Sequence, residues 1–170
     1  MPSQSAFARQ ARFLAGLSEL QLRRHDAAFA TFKALADAHP TAAVLNNLGV
    51  VQLRRAATPQ TGAPAYYFDA AAKLDPTDSD VCFNLGYAYL LDRDATAAAY
   101  WLREALRRNA SDGDAHYLLG VALATAGGSA ESAREKELAR RLSSTYEEWD
   151  KRPATDAVPK GLEQIGRAHV

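Results

Sequence analysis

The sequence predicts an all-α chain, an array of about four αα-hairpins, and three observations carry that expectation. Apolar residues recur at helical spacing: Cys82, Leu85, Gly86 and Tyr89 form one stripe, and Ala98, Leu102, Ala105 and Leu106 form a second. Glycines recur as well, with Gly16, Gly49, Gly86 and Gly120 lying 33, 37 and 34 residues apart. Asn47-Leu48-Gly49 and Asn84-Leu85-Gly86 repeat one tripeptide, and Leu118-Leu119-Gly120 varies it. Glycine inside a helix costs about 0.5–1 kcal/mol against alanine. Its recurrence therefore points to a close helix–helix approach, with Ala98 expected opposite Gly86 and Ala28 opposite Gly16.

Taken in order, residues 5–22 form the first helix, with an unusually wide apolar face (Phe7, Ala11, Leu14, Leu17) that either covers itself or is expected to meet further repeats upstream of Met1. The chain turns at 23–26 and returns over 27–38, and Pro40 closes the unit. Residues 41–54 open the second unit. Residues 55–62, rich in Thr, Pro and Gly, make a turn-rich loop that lengthens the unit by three residues. The return helix spans 63–74, with Pro64 in its first turn, where a missing N–H is harmless. The third unit is the pair of stripes already described, and Thr77–Asp80 supplies its N-cap candidates. Residues 113–126 open the fourth unit, where Gly127-Gly128 stops the helix and Ser129 can cap the next. A charged helix over 130–151 is expected as the C-terminal cap, because one polar face suits the last element of a stacked array.

The repeated unit resembles the tetratricopeptide repeat, whose pattern is W-x2-L-G-x2-Y, then A-x3-F, then P, with a period of about 34 residues. Ala28 and Phe32, like Ala98 and Leu102, follow their glycines at the pattern's spacing, and Pro40 and Pro76 take the closing position. Cys82 and His116 replace the Trp, Ala110 replaces the Pro, and Ser132 and Lys136 replace the last Ala and Phe. The resemblance implies a right-handed superhelical α-solenoid over residues 5–151, with repeats at about 5–40, 41–76, 77–110 and 111–151. Residues 152–164, with two Pro and one Gly and no helical period, are expected as an extended tail or linker. Residues 165–170 (IGRAHV) match the conceptual translation of a sequencing-library adapter and are expected to be a read-through artefact.

Composition excludes several function classes. With 48% hydrophobic and 24% charged residues the chain can bury a core as one domain. A formal net charge of +0 provides no global field for nucleic acid or an anionic membrane. No apolar run reaches the roughly 18 residues of a membrane span. One cysteine, Cys82, excludes an internal disulfide framework. The four histidines are isolated, and His116 is expected as a packed core residue rather than a ligand. No nucleophile elbow, phosphate loop or metal signature occurs, so no catalytic residue, cofactor or metal is expected. The Arg pairs at 23–24, 54–55, 107–108 and 140–141 mostly sit late in helices, where they complement the helix dipole; the alternative is a phosphate-tracking stripe, which the charge balance disfavours. Compartment stays open, with the cytoplasm favoured and the periplasm consistent with a leader upstream.

The functional expectation follows from the resemblance. First helices of such arrays line a concave groove, which places Phe13, Leu17, Asn46, Val50, Arg54, Phe83, Tyr87, Leu91, Tyr117 and Val121 as partner-binding residues. The family's chaperone-binding members grip a C-terminal carboxylate with Lys, Arg and Asn. Asn47 and Asn84 match the Asn positions, but Phe13, Tyr117 and Leu118 occupy the basic ones, so a carboxylate clamp is not expected. Two classes remain: a non-catalytic module binding a peptide or helix of a partner protein, and a structural spacer or regulatory arm of a larger protein. Self-association through terminal repeats is compatible with either.

Overall fold

A computed structural model describes residues 4–55, 58 and 60–166. Residues 1–3, Ala56, Ala57, Pro59 and 167–170 lie outside the described residues, and with them part of the expected loop and most of the adapter-like hexapeptide. The described residues form nine α-helices and no strand: α1 Gln4–Gln21, α2 His25–Ala38, α3 Ala42–Arg54, α4 Pro64–Leu74, α5 Ser79–Leu91, α6 Ala95–Arg108, α7 Gly113–Thr125, α8 Ser129–Leu142 and α9 Thr145–Asp150. They fall into two compact units, Met1–Pro76 with Ile165–Val170, and Thr77–Gln164. In the first, α1 packs on α2, α2 on α3 and α3 on α4; in the second, α5 packs on α6, α6 on α7, and α7 on α8.

Each hairpin closes at its repeat glycine. A Cβ on Gly86 would lie 2.6 Å from Leu102 Cγ and 3.1 Å from the Leu102 backbone nitrogen. A Cβ on Gly16 would lie 2.8 Å from Phe32 Cζ, one on Gly120 2.6 Å from Lys136 Cγ, and one on Gly49 would overlap the Phe68 ring. The glycine thus makes room for the large side chain four residues past the expected alanine, and Ala98 and Ala28 are buried beside the contact.

The turn inside three of the hairpins is one device. Arg23, Arg93 and Gly127 have φ of 57°, 64° and 90°, the left-handed conformation. The following N–H reaches back to a carbonyl five residues earlier: Arg24 to Glu19, Asp94 to Tyr89, and Gly128 to Leu123, each at 2.8 Å. The second hairpin uses its longer loop instead. Gln52 Nε2 donates to the Thr61 and Gly62 carbonyls at 2.8 and 2.6 Å, and the Tyr67 hydroxyl donates to Thr61 at 2.6 Å. Helix starts follow the sequence: Thr41, Asp78, Asp94 and Asp112 accept first-turn N–H bonds, and Pro64 opens α4. Gly128, rather than Ser129, takes the N-cap of α8.

The C-terminal cap differs from the continuous helix expected over 130–151. Ser143 leaves helical geometry (φ −159°, ψ 140°), and its Oγ accepts the Thr145 N–H at 3.2 Å. A short hydroxyl side chain thereby offers the backbone an alternative to the helix ladder. α9 then folds back on α7, where the Tyr146 hydroxyl donates to Asp114 Oδ1 at 2.8 Å and its ring stacks on Tyr117 at 5.8 Å. Asp150 accepts from Lys136 at 2.7 Å and Arg140 at 2.8 Å, tying α9 to α8. Gly113 therefore lies under Tyr146, inside the helix contacts: a Cβ there would overlap the Tyr146 hydroxyl.

Three substitutions test this packing and turn geometry. Gly86→Ala should destabilise by about 1–3 kcal/mol, the usual range for overpacking. Gly128→Ala, whose Cβ would meet nothing nearer than 3.5 Å, should cost less, only the roughly 0.5–1 kcal/mol by which alanine is the poorer N-cap of α8. Urea denaturation checks both, and equal midpoints would contradict the packing described. Arg93→Gly should raise the thermal midpoint, because relieving a left-handed side-chain residue is worth up to about 1 kcal/mol. An unchanged or lower midpoint would show that this turn carries no strain.

Candidate functional site

The second unit contains a face built around two residues one turn apart on α5. Asn84 Nδ2 donates to the Gln164 carbonyl at 2.7 Å, and the Gln164 N–H donates to Asn84 Oδ1 at 2.7 Å. A primary amide presents a donor and an acceptor side by side, as does the backbone of one extended residue, so the pair closes a two-bond ring. The Tyr87 hydroxyl donates to the Pro159 carbonyl at 2.8 Å. Phe83 stacks on Tyr87 with centroids 6.3 Å apart, and both rings are buried. On the tail, Pro159 and Glu163 are buried as well, while Gly161, with φ 80°, bends the segment between them. The first unit repeats the amide device: Asn47 Nδ2 donates to the Gly166 carbonyl at 3.2 Å and Asn47 Oδ1 accepts the Gly166 N–H at 2.8 Å.

Within residues 152–164, expected as a tail or linker, Pro159 and Gln164 are thus hydrogen-bonded to α5, whereas 152–156 are exposed. Energetics explains why the seat needs an occupant. Asn84 and Asn47 are fully buried. A buried amide left without partners costs about 1–3 kcal/mol, more than a satisfied bond contributes net.

The sequence-predicted residues divide by surroundings. Tyr87 bonds the tail, and the Phe83 ring stacks on Tyr87. In the first unit Asn46 and Val50 are buried, and Asn46 Nδ2 would lie 3.3 Å from a Cβ on Gly166. Phe13 packs edge-on against Phe32 at 5.6 Å, inside its own hairpin rather than in an open groove. Leu17 and Arg54 are half-buried, and Leu91 is exposed. Tyr117 does not extend an open aromatic floor: Tyr146 and Trp149 cover it, with the Trp149 ring 5.1 Å away. Val121 is buried on the same helix. His116 is pinned at both nitrogens, Nδ1 2.6 Å from Glu135 Oε2 and Nε2 3.0 Å from the Ala110 carbonyl. Asn84 and Asn47 are not in the partner-binding set expected from sequence, although the recurring Asn-Leu-Gly tripeptide displays them.

Burial dominates the electrostatics of the face. It pushes the Tyr87 phenol up to about 12, and the nearby Glu163 carboxylate adds to the shift. Burial likewise raises Tyr117 to about 12, helped by Asp150. The late-helix arginines are engaged: Arg107 and Arg108 both bind Glu104, and Arg140 and Arg141 both bind Glu137. Among the described residues no group of His, Cys, Asp and Glu is placed to hold a metal ion, and no helix is long and apolar enough to cross a membrane.

Stacked helical hairpins closed at a recurring glycine define a helical-repeat protein. The tetratricopeptide repeat model matches residues 4–43, 13–57, 61–113 and 102–146, and the chain belongs to that family. Among solved structures, a crystal structure of MamA protein shares 21% identity over 79% of this chain and 72% of its own, with a TM-score of 0.71. YrrB, described as a TPR protein with an unusual peptide-binding site, shares 19% identity over 81% of this chain and 70% of its own, with a TM-score of 0.69. At these identities the likeness is one of fold. No curated protein matches the chain.

The raised Tyr87 phenol has a pH consequence. Its folded-state value lies above the ordinary tyrosine value near 10, so the neutral form is favoured in the fold. That stability is fully present below pH about 10 and is lost as pH rises through about 12. Urea midpoints measured across this window should fall less steeply for Tyr87→Phe than for the unmodified chain. Parallel slopes would show that Tyr87 is not sequestered.

Proposed function

We propose that the chain is a non-catalytic protein-interaction module that holds extended segments of a partner protein on the tail-bearing face of α5 and, separately, on that of α3. Asn84 and Asn47 grip the backbone of the segment on their own helix, and Phe83 and Tyr87 supply the apolar floor on α5. Membership of the repeat family supports an interaction role, and the peptide-binding site ascribed to YrrB supports a peptide as the kind of ligand. The observation that carries the reading is the Asn84–Gln164 ring. It satisfies a buried amide with main-chain atoms, and main-chain atoms are what any extended peptide provides. Aromatic side chains in a desolvated centre are the usual carriers of binding energy, which assigns the floor to Phe83 and Tyr87.

Selection of random displayed peptides on the immobilised chain tests the reading. Selected peptides should lose at least about tenfold in affinity, about 1.4 kcal/mol, on Asn84→Ala or Asn47→Ala. Charge reversal of Arg107 and Arg108 should leave binding unchanged. Peptides held equally well by both asparagine variants would move the binding surface elsewhere.

A further inference from the structure

The segment seated on α5 is informative about what that face selects. Resting on the module reading above, we propose that residues 157–164 are a tethered copy of the partner segment. The face is self-capped, and the partner it takes is an extended peptide of the pattern Pro-x-Gly-x-Glu-x, which binds by displacing the chain's own.

Each position of the pattern has a separate physical origin. Pro159 is buried, and its carbonyl takes the Tyr87 hydroxyl. Gly161 stands at φ 80°, yet nothing lies within 4 Å of where its Cβ would be. Glycine is required there by backbone conformation, not by space, since side-chain residues rarely adopt that region. Glu163 is buried to 8% exposure, near Tyr87, so the face accepts a carboxylate from inside the segment rather than at a chain end. The residue at position 164 meets Asn84 through its own N–H and carbonyl, so any residue except proline suffices. Lys160 is exposed, which leaves its position in the pattern open.

The segment is also built to leave. Residues 151–156, which connect it to α9, are almost wholly exposed and contain only the short 3-10 turn Ala154–Asp156. A tether of this kind holds its ligand at an effective concentration on the order of millimolar. A free peptide at micromolar concentration therefore competes poorly until the tether is loosened. Every contact named between the segment and α5 lies at or before Gln164.

The test uses the full chain and one probe, the fluorescent peptide of residues 157–164 with acetylated and amidated ends. The unmodified chain should bind it weakly. Gly161→Val strains the tethered segment without touching a helix, and should raise probe affinity at least tenfold. Gly161→Asn, which tolerates the left-handed region, should raise it far less. Adding Asn84→Ala or Tyr87→Phe to Gly161→Val should remove most of the gain, and a probe carrying Val in place of its glycine should not bind. Thermal melting confirms that each variant is folded. Equal probe affinity for folded Gly161→Val and the unmodified chain overturns the proposal. If displayed peptides bind through Asn84 but lack the pattern and do not compete with the probe, the inference fails while the module reading stands. If neither probe nor displayed peptides depend on Asn84, both fail.

Discussion

The fold depends on a missing side chain. In each hairpin one glycine lets a bulky residue of the second helix settle against the backbone of the first, as Leu102 does over Gly86 and Phe32 over Gly16. Close packing of this kind is unforgiving of an added methyl, because interiors are packed at crystal-like density. With the hairpin closed at that point, the register of every other first-helix residue is determined. Asn84 and Tyr87 then face away from Leu102 and toward the tail, and Leu85 and Cys82 complete the core.

That register creates an obligation as well as an opportunity. A helix that buries Asn84, Tyr87 and Phe83 on its outer face is complete only when something supplies a backbone carbonyl, a backbone N–H and an apolar cover. The chain supplies these from Pro159 and Gln164. The buried Asn84 amide and Tyr87 hydroxyl are thereby both hydrogen-bonded within the chain.

Much of this is legible in the sequence. The hairpins, the helix-capping aspartates at 78, 94 and 112, Pro64 and the insertion after Arg54 are all visible as periodicity or turn chemistry. The Asn-Leu-Gly tripeptide carries two messages, and only the glycine's can be read in full, because a glycine reports on packing without knowledge of its partner. The asparagine's role needs its ligand to be seen. That ligand is illegible: residues 157–164 have no hydrophobic period, and they bind chiefly through main-chain atoms that look the same in every sequence. The break at Ser143 escapes sequence reasoning for a related reason. The apolar stripe continues through Leu142, Tyr146 and Trp149, and one hydroxyl–amide bond decides against a continuous helix. Once α9 turns back, Tyr117 changes from the groove-lining position expected of it to a covered one, and Gly113 comes to lie under Tyr146.

α9 itself has only six residues, whereas isolated helices shorter than about 12–15 residues are marginal in water. Its helicity is borrowed from the stack of Tyr146 and Trp149 on Tyr117 and from the two cations that meet at Asp150. Such an element belongs to the least protected end of a protein's spectrum of local openings. An element so held should open before the hairpins beneath it, and its opening would bare the Tyr117 ring while α7 and α8 stayed intact, a second surface reached at a fraction of the cost of unfolding.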